Sequence, residues 1–220
     1  MPPEPALAQA MTAPDKGAAL RPFNLRPGIE SALERFVALL LTWQATHNLI
    51  APKTVPELWT RHVADSLQLL PLAPEGAKRW IDLGSGGGFP GMVVAIAAEG
   101  TELQVTLVEA NRKKAAFLRQ AARLCAPSAT IRAERIEALG SASPYDIVSA
   151  RALAPLPELF TLAAPLLAPD GIVLAMKGKE YVHEEAAAAH IWSFDQIWYE
   201  SAVGGGGGVA AISNLKLRKA

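Results

Sequence analysis

Trp80-Ile-Asp-Leu-Gly-Ser-Gly-Gly-Gly-Phe-Pro-Gly91 decides how the rest of this chain is read. It has the pattern of a short buried strand ending in a carboxylate, then a glycine loop, then the first turn of a helix. Gly84, Gly86 and Gly88 remove the Cβ atoms that would keep a ligand away from the main chain. A loop of this kind, at the carboxyl end of a strand and the amino end of a helix, is where open α/β sheets bind nucleotide-like ligands. A glycine-rich turn with no ligand is the poorest explanation, since five glycines in residues 84–91 cost much chain entropy.

Two ligand classes fit the loop. Gly86-x-Gly88-x-x-Gly91 matches the dinucleotide fingerprint, with Glu109 as the later acid for a ribose. Against it, Pro90 removes one of the helix-opening N–H donors on which a pyrophosphate would rest. The alternative register, Asp82-x-Gly84-x-Gly86-x-Gly88, sets a carboxylate at the strand end. That charge repels phosphate and suits the cationic methionine end of S-adenosylmethionine. The methyl donor is the favoured reading, with the dinucleotide left open.

The composition bounds the rest. The 220 residues, half of them hydrophobic, support one domain with a full core and room for a small extra element. The formal net charge is zero, so a nucleic-acid partner requires a local basic patch. A single cysteine, Cys125, excludes an intramolecular disulfide and a cysteine-rich metal site, and no metal centre is expected. No apolar run reaches the roughly 18 residues of a membrane span, and no secretory signal is visible. A cytoplasmic monomer is expected.

Residues 1–27 carry six prolines and are expected to form an irregular, mobile tail. Residues 28–75 are expected to form a helical N-terminal cap. Ile29, Leu33, Phe36, Val37, Leu40 and Trp43 recur at helical spacing, and a second helix is expected to open at Pro56 with His62, Asp65 and Ser66 on one face. From 76 to 220 strands and helices alternate, the mark of a parallel sheet covered on both faces. Strands are expected at 103–108, 129–133, 145–150, 171–176, 194–200 and 209–217, with helices near 111–124, 156–167 and 180–190. Asp82, Glu109, Arg151 and Lys177 all fall at strand carboxyl ends, the functional edge of such a sheet. The glycine run 204–208 is expected to be a flexible hairpin loop.

Glu109 is placed to accept both ribose hydroxyls, a better fit beside the glycine loop than an ordinary exposed strand-terminal acid, whereas for Ala133-Glu134 an adenine contact and an ordinary strand end fit equally well. Arg112, Arg119 and Arg123 line one helix face, with Lys113 beside them; a solvated face and an RNA-binding surface fit equally well. His62 near Asp65 resembles an oriented imidazole, but spacing alone does not make it catalytic. Cys125 ends an apolar helix face and is expected to be a core thiol. After the fourth strand stands Ser149-Ala-Arg-Ala in place of the Asn/Asp-Pro-Pro-Tyr motif that holds an exocyclic amine, and no cysteine is placed to attack a pyrimidine. A ring nitrogen such as guanine N7 carries a lone pair and no proton, so its methylation requires alignment and no general base.

Residues 81–91 resemble the loop of the bacterial 16S ribosomal RNA guanine-N7 methyltransferases, also called glucose-inhibited division protein B. His47-Asn-Leu49, Arg61-His-Val-Ala-Asp-Ser-Leu67, Val108-Glu109, Arg112-Lys-Lys-Ala-Ala-Phe-Leu118, Arg132-Ala-Glu134, Ser149-Ala-Arg151 and Met176-Lys-Gly178 follow in family order over roughly residues 33–217. The resemblance implies an α/β class I methyltransferase fold, Rossmann-like with a mostly parallel seven-stranded sheet, and a helical N-terminal cap. It implies S-adenosylmethionine as donor and a guanosine in the 530 loop of 16S rRNA as acceptor, on naked RNA or the small ribosomal subunit. Carried over by motif, Gly84, Phe89, Ala133, Glu134 and Arg151 contact the donor, beside Asp82, Gly86, Gly88 and Glu109 from the loop reading. Arg151, Lys177, Arg112, Arg119 and Arg123 are the candidates for RNA contact; no catalytic acid or base is assigned. Ile50 stands where the family has threonine, and the glycine run replaces ordinary hairpin residues. Another RNA acceptor, or a non-catalytic RNA-associated module on the same fold, are the alternatives.

Overall fold

The computed structural model describes residues 2–140, 144–204 and 206–218. Seven strands form one sheet: β1 (Arg79–Leu83), β2 (Gln104–Val108), β3 (Thr130–Arg132), β4 (Tyr145–Arg151), β5 (Leu167–Lys177), β6 (Trp192–Glu200) and β7 (Gly208–Leu217). Their spatial order is β3-β2-β1-β4-β5-β7-β6, parallel except for β7, which runs antiparallel to both β5 and β6. The order reverses between β1 and β4, so the crevice beyond the carboxyl ends of these two strands is the topological switch point where such sheets bind ligands.

Side chains alternate along β1 to serve two cores. Trp80 packs on one face with α3 (Ile29–Gln44), α5 (Gly91–Ala98) and α6 (Arg112–Cys125). Ile81 and Leu83 pack on the other with α7 (Leu156–Ala163) and α8 (Tyr181–Ala189). Helix α5 is buried almost all round, hence its uninterrupted apolar sequence. Asn111 caps α6 by accepting from the Lys113 and Lys114 amides. Cys125 is a buried free thiol at the end of α6, and burial pushes its pKa up to about 11.

The N-terminal stretch departs from the irregular tail that its prolines suggest. It carries α1 (Glu4–Met11) and α2 (Lys16–Leu20). The prolines sit where a helix tolerates them: Pro3 precedes α1 and Pro5 lies in its first turn, where the missing N–H has no partner to lose. Tertiary contacts hold the segment. The Trp59 indole donates to the Ala10 carbonyl, the Thr60 amide donates to Asp15, and Lys16 pairs with Glu30 and Glu34.

The second cap helix is likewise not a single α-helix opening at Pro56. Pro52–Glu57 form a tight 3₁₀ turn containing Pro56, Trp59–Ala64 widen into a π-type turn, and only α4 (Asp65–Leu67) is α-helical. Pro56 cannot donate to an i−4 carbonyl, which keeps regular α geometry from running through it. Local π widening is often found at functional sites, and here it includes His62. Strand β5 begins at Leu167, four residues before the expected Gly171. Gly205 of the glycine run lies outside the described residues, and β7 begins within the run, at Gly208.

Candidate active site

The cap presses on the glycine loop from one side and leaves the other open. A Cβ on Gly87 would lie 2.9 Å from the Leu49 carbonyl oxygen, and one on Gly88 would lie 2.9 Å from Met92 and 3.0 Å from Phe36. A Cβ on Gly84 would lie 2.7 Å from Leu153, which follows β4. At Gly86 nothing comes nearer than 3.7 Å. Gly86 is therefore where a ligand can reach the main chain.

Glu109 stands at the edge of that opening. Its Oε2 accepts from the Gly86 amide at 2.8 Å and its Oε1 from the Asn111 amide at 2.7 Å. An ionised carboxylate offers about four lone-pair sites, so two remain for the hydroxyls of a ribose. The same contact argues against a dinucleotide, because a carboxylate already occupies the loop amide that a phosphate would need. Glu134, at the end of β3, is half-buried and pairs with Arg132, with Ala133 also half-buried beside it.

Asp82 is not where a donor contact requires it to be. It shares the Trp80 face of β1 and is fully buried beneath the start of α5. The Ser149 hydroxyl donates to its Oδ1 at 2.6 Å, the Trp80 indole donates to that hydroxyl at 2.8 Å, and Oδ2 has no well-aligned donor. Asp82 thus supports the loop from below, a role that spacing could not distinguish from facing the ligand. Burial pushes its pKa up to about 6, against the pull of the Ser149 hydrogen bond and the Arg151 charge.

That shift sets a stability prediction. With a folded pKa above the ordinary 3.8, Asp82 costs nothing below about pH 4, and the penalty for its charge grows until about pH 6. Asp82→Asn should therefore be more stable than wild type at pH 7.5 by about 2–3 kcal/mol. Denaturant titration should show the gap closing as the pH falls to 4.5. A gap that does not change with pH contradicts the assignment.

Arg151, the last residue of β4, joins core to cap. It is followed by Ala152 at φ +50°, a left-handed conformation that costs a non-glycine residue energy and is found at functional turns. Its guanidinium donates to the Arg61 carbonyl at 3.2 Å and to His62 Nδ1, lies 3.7 Å from Asp65, and stands 5.8 Å from the Phe89 ring centroid. Arginine has no acceptor, so His62 Nδ1 must be the bare nitrogen. The His62 Nε2–H then donates to Thr54 Oγ1 at 2.8 Å, and the Thr54 hydroxyl to the Ala51 carbonyl at 2.8 Å. Burial, with the charges of Arg151 and Arg61, holds the His62 pKa down at about 3. The imidazole is a neutral strut for Arg151.

Phe89 is buried, with its ring against Phe36 and His62; it shapes the loop from within. Lys177 is not free for RNA: its ammonium is bound by the Ala154 carbonyl and Glu184, each at 2.6 Å. Glu184 also accepts from the Leu156 amide and so ties α8 to the start of α7. Arg112, Arg119 and Arg123 are exposed on α6 and line none of the cleft described next. No local pattern singles out Glu184, and Thr54 became legible only through its bond to His62.

A cleft of about 720 Å³ opens between the cap, the ends of β4 and β5 and the residues Ser201, Val203, Gly204 and Gly207. Arg151, Asp65, Leu153 and Lys177 are among its walls. It reaches the glycine loop through Leu153, packed on Gly84, and through Arg151 beside Phe89. Among the described residues no cluster of metal-ligating side chains occurs, and no helix is long and apolar enough to cross a membrane.

The strand order with its single antiparallel reversal, and the glycine loop followed by a strand-terminal acid, define a class I methyltransferase. An O-methyltransferase from Bacillus cereus, solved with S-adenosylhomocysteine, shares this fold at TM-score 0.62 and 14% identity, over 90% of this chain and 96% of that one. TomG from Streptomyces achromogenes does so at TM-score 0.56 and 18% identity, over 89% and 94%. The chain belongs to the rRNA small subunit methyltransferase G family (GidB), whose family model matches residues 29–210. Proteins named ribosomal RNA small subunit methyltransferase G are 45% identical in Methylobacterium nodulans, over 93% of this chain and 98% of that protein, and 47% identical in Rhodopseudomonas palustris, over 98% and 91%.

Proposed function

We propose that this chain methylates N7 of a guanosine in the 530 loop of 16S rRNA, on naked RNA or the small subunit, as a cytoplasmic monomer using S-adenosylmethionine. The relatives' names point to small-subunit rRNA. The observation that carries the reading is the arrangement of two adjoining openings. A loop with one unobstructed glycine, Gly86, lies beside Glu109, and a separate cleft meets that loop at Arg151 and Leu153.

Bound there, S-adenosylmethionine supplies an electrophilic methyl carbon. Gly86 and Glu109 would hold its ribose end, and Ala133-Glu134 the adenine edge. Asp82 keeps the loop in shape from beneath. Arg151, fixed by His62 and the Arg61 carbonyl, would position the purine in the cleft. Transfer of that methyl group to N7, with the sulfur keeping the bonding pair, would leave the purine positively charged and release no proton. No general base is required, in keeping with a cleft whose histidine is held neutral and already hydrogen-bonded on both nitrogens.

Gly86→Val tests the donor half of this reading. Its side chain would enter the open face, where φ is +52°. Titration calorimetry should show S-adenosylhomocysteine binding to wild type and at least tenfold weaker binding to the variant, from loss of about 1.4 kcal/mol or more. NADH should bind neither. Transfer of a labelled methyl group to small-subunit rRNA should fall in parallel. NADH binding without S-adenosylhomocysteine binding would overturn the reading.

A further inference from the structure

We propose that Asp65 reads the acceptor base, accepting the N1–H of guanine through Oδ2 beside Arg151, which donates to guanine O6. This rests on the guanine-N7 reading above and adds to it the residue that selects the base. The Asp65 Oδ1 is committed, accepting from Ser201 at 2.9 Å and from Gln68 at 2.6 Å. Its Oδ2 accepts no hydrogen bond among the described residues, and the Arg151 Nη1 stands 3.7 Å from it, beyond hydrogen-bond length. Arg151 in turn uses two of its five N–H groups, on Arg61 and His62. The cleft therefore presents an unfilled acceptor next to unfilled donors, on side chains locked from behind.

Guanine offers the complement on adjacent atoms, O6 accepting and N1–H donating, whereas adenine reverses both. The order also fits the chemistry. Arg151 touches Asp65 on the cap and stands beside Phe89 on the donor loop, and guanine carries N1–H, O6 and N7 in that sequence along its edge. With N1–H on Asp65 and O6 on Arg151, N7 is the atom that faces the loop. Methylation at N7 makes the purine cationic and its N1–H a stronger donor. The Asp65 carboxylate thus binds the transition state more tightly than the substrate, which raises kcat and not only affinity.

The test uses small subunits reconstituted with guanosine, or with 2-aminopurine (which keeps N7 but lacks O6 and N1–H), at the target position. Single-turnover methyl transfer is compared for wild type and Asp65→Asn. The variant should bind S-adenosylhomocysteine within about twofold of wild type and lose about 10- to 100-fold in rate on guanosine, the scale of one hydrogen bond to a charged group. The wild-type preference for guanosine over 2-aminopurine should shrink by a similar factor. Unchanged guanosine rates, or equal losses on both bases, would overturn the Asp65 contact and leave the function intact. Failure of wild type to methylate guanosine at N7 would instead overturn the reading on which the contact rests.

Discussion

Arg151→Ala should lower single-turnover methyl transfer about 10²- to 10³-fold, the range for removing a preorganised charge from a reacting site. The guanidinium touches the cap, stands beside the donor loop and lines the cleft. Arg151→Lys should recover little. An ammonium at the end of a flexible stem cannot serve the Arg61 carbonyl, His62 and a purine oxygen at once, whereas the planar fork does. Both variants should bind S-adenosylhomocysteine nearly as wild type does, since Gly86 and Glu109 remain in place. A lysine variant within twofold of wild type would show that Arg151 is a structural strap alone.

Gly91→Ala should be the most damaging of the small substitutions to stability, costing about 3 kcal/mol or more, at the upper end for overpacking. A Cβ there would lie 2.5 Å from Asp82 Oδ2 and 2.6 Å from its Cβ. Neither side can yield cheaply: Gly91 begins a buried helix, and Asp82 is held by Ser149 and Trp80. For a chain of this length that corresponds to a Tm roughly 6–12 °C lower. Gly86→Ala is the control, with only an ordinary contact at 3.7 Å from the Gly84 carbonyl oxygen and a cost of about 1–2 kcal/mol for the left-handed backbone. Thermal unfolding of the two variants side by side measures the difference; equal Tm values would contradict the packing described for Asp82.

The glycine loop and the alternation of strand and helix were legible because each is a local pattern with one physical meaning. Asp82-x-Gly84-x-Gly86-x-Gly88 marked the switch point, and the strand-terminal Glu109 and Arg151 fell where the sheet order places them. Direction was not legible. Strand periodicity placed Asp82 at the strand end but could not say that α5 would cover it. Lys177 looked like a free cation because its partner, Glu184, comes from the next helix folding back. The N-terminal helices were hidden by proline density, since what holds them is Trp59 and Thr60 some 45 residues or more away. Asp65 stood in plain view within Arg61–Leu67. Its function depends on which oxygen Ser201 and Gln68 leave unused, and only the folded chain shows that.

The most direct test of the central claim is to locate the transferred methyl group. Small subunits lacking the modification are incubated with the protein and S-adenosylmethionine, and the 16S rRNA is treated with borohydride and aniline, which cleave the strand at 7-methylguanosine. A single new cleavage in the 530 loop, absent without the protein and strongly reduced with Arg151→Ala, is the predicted result. Methyl incorporation with no cleavage would place the group on another atom and contradict the account.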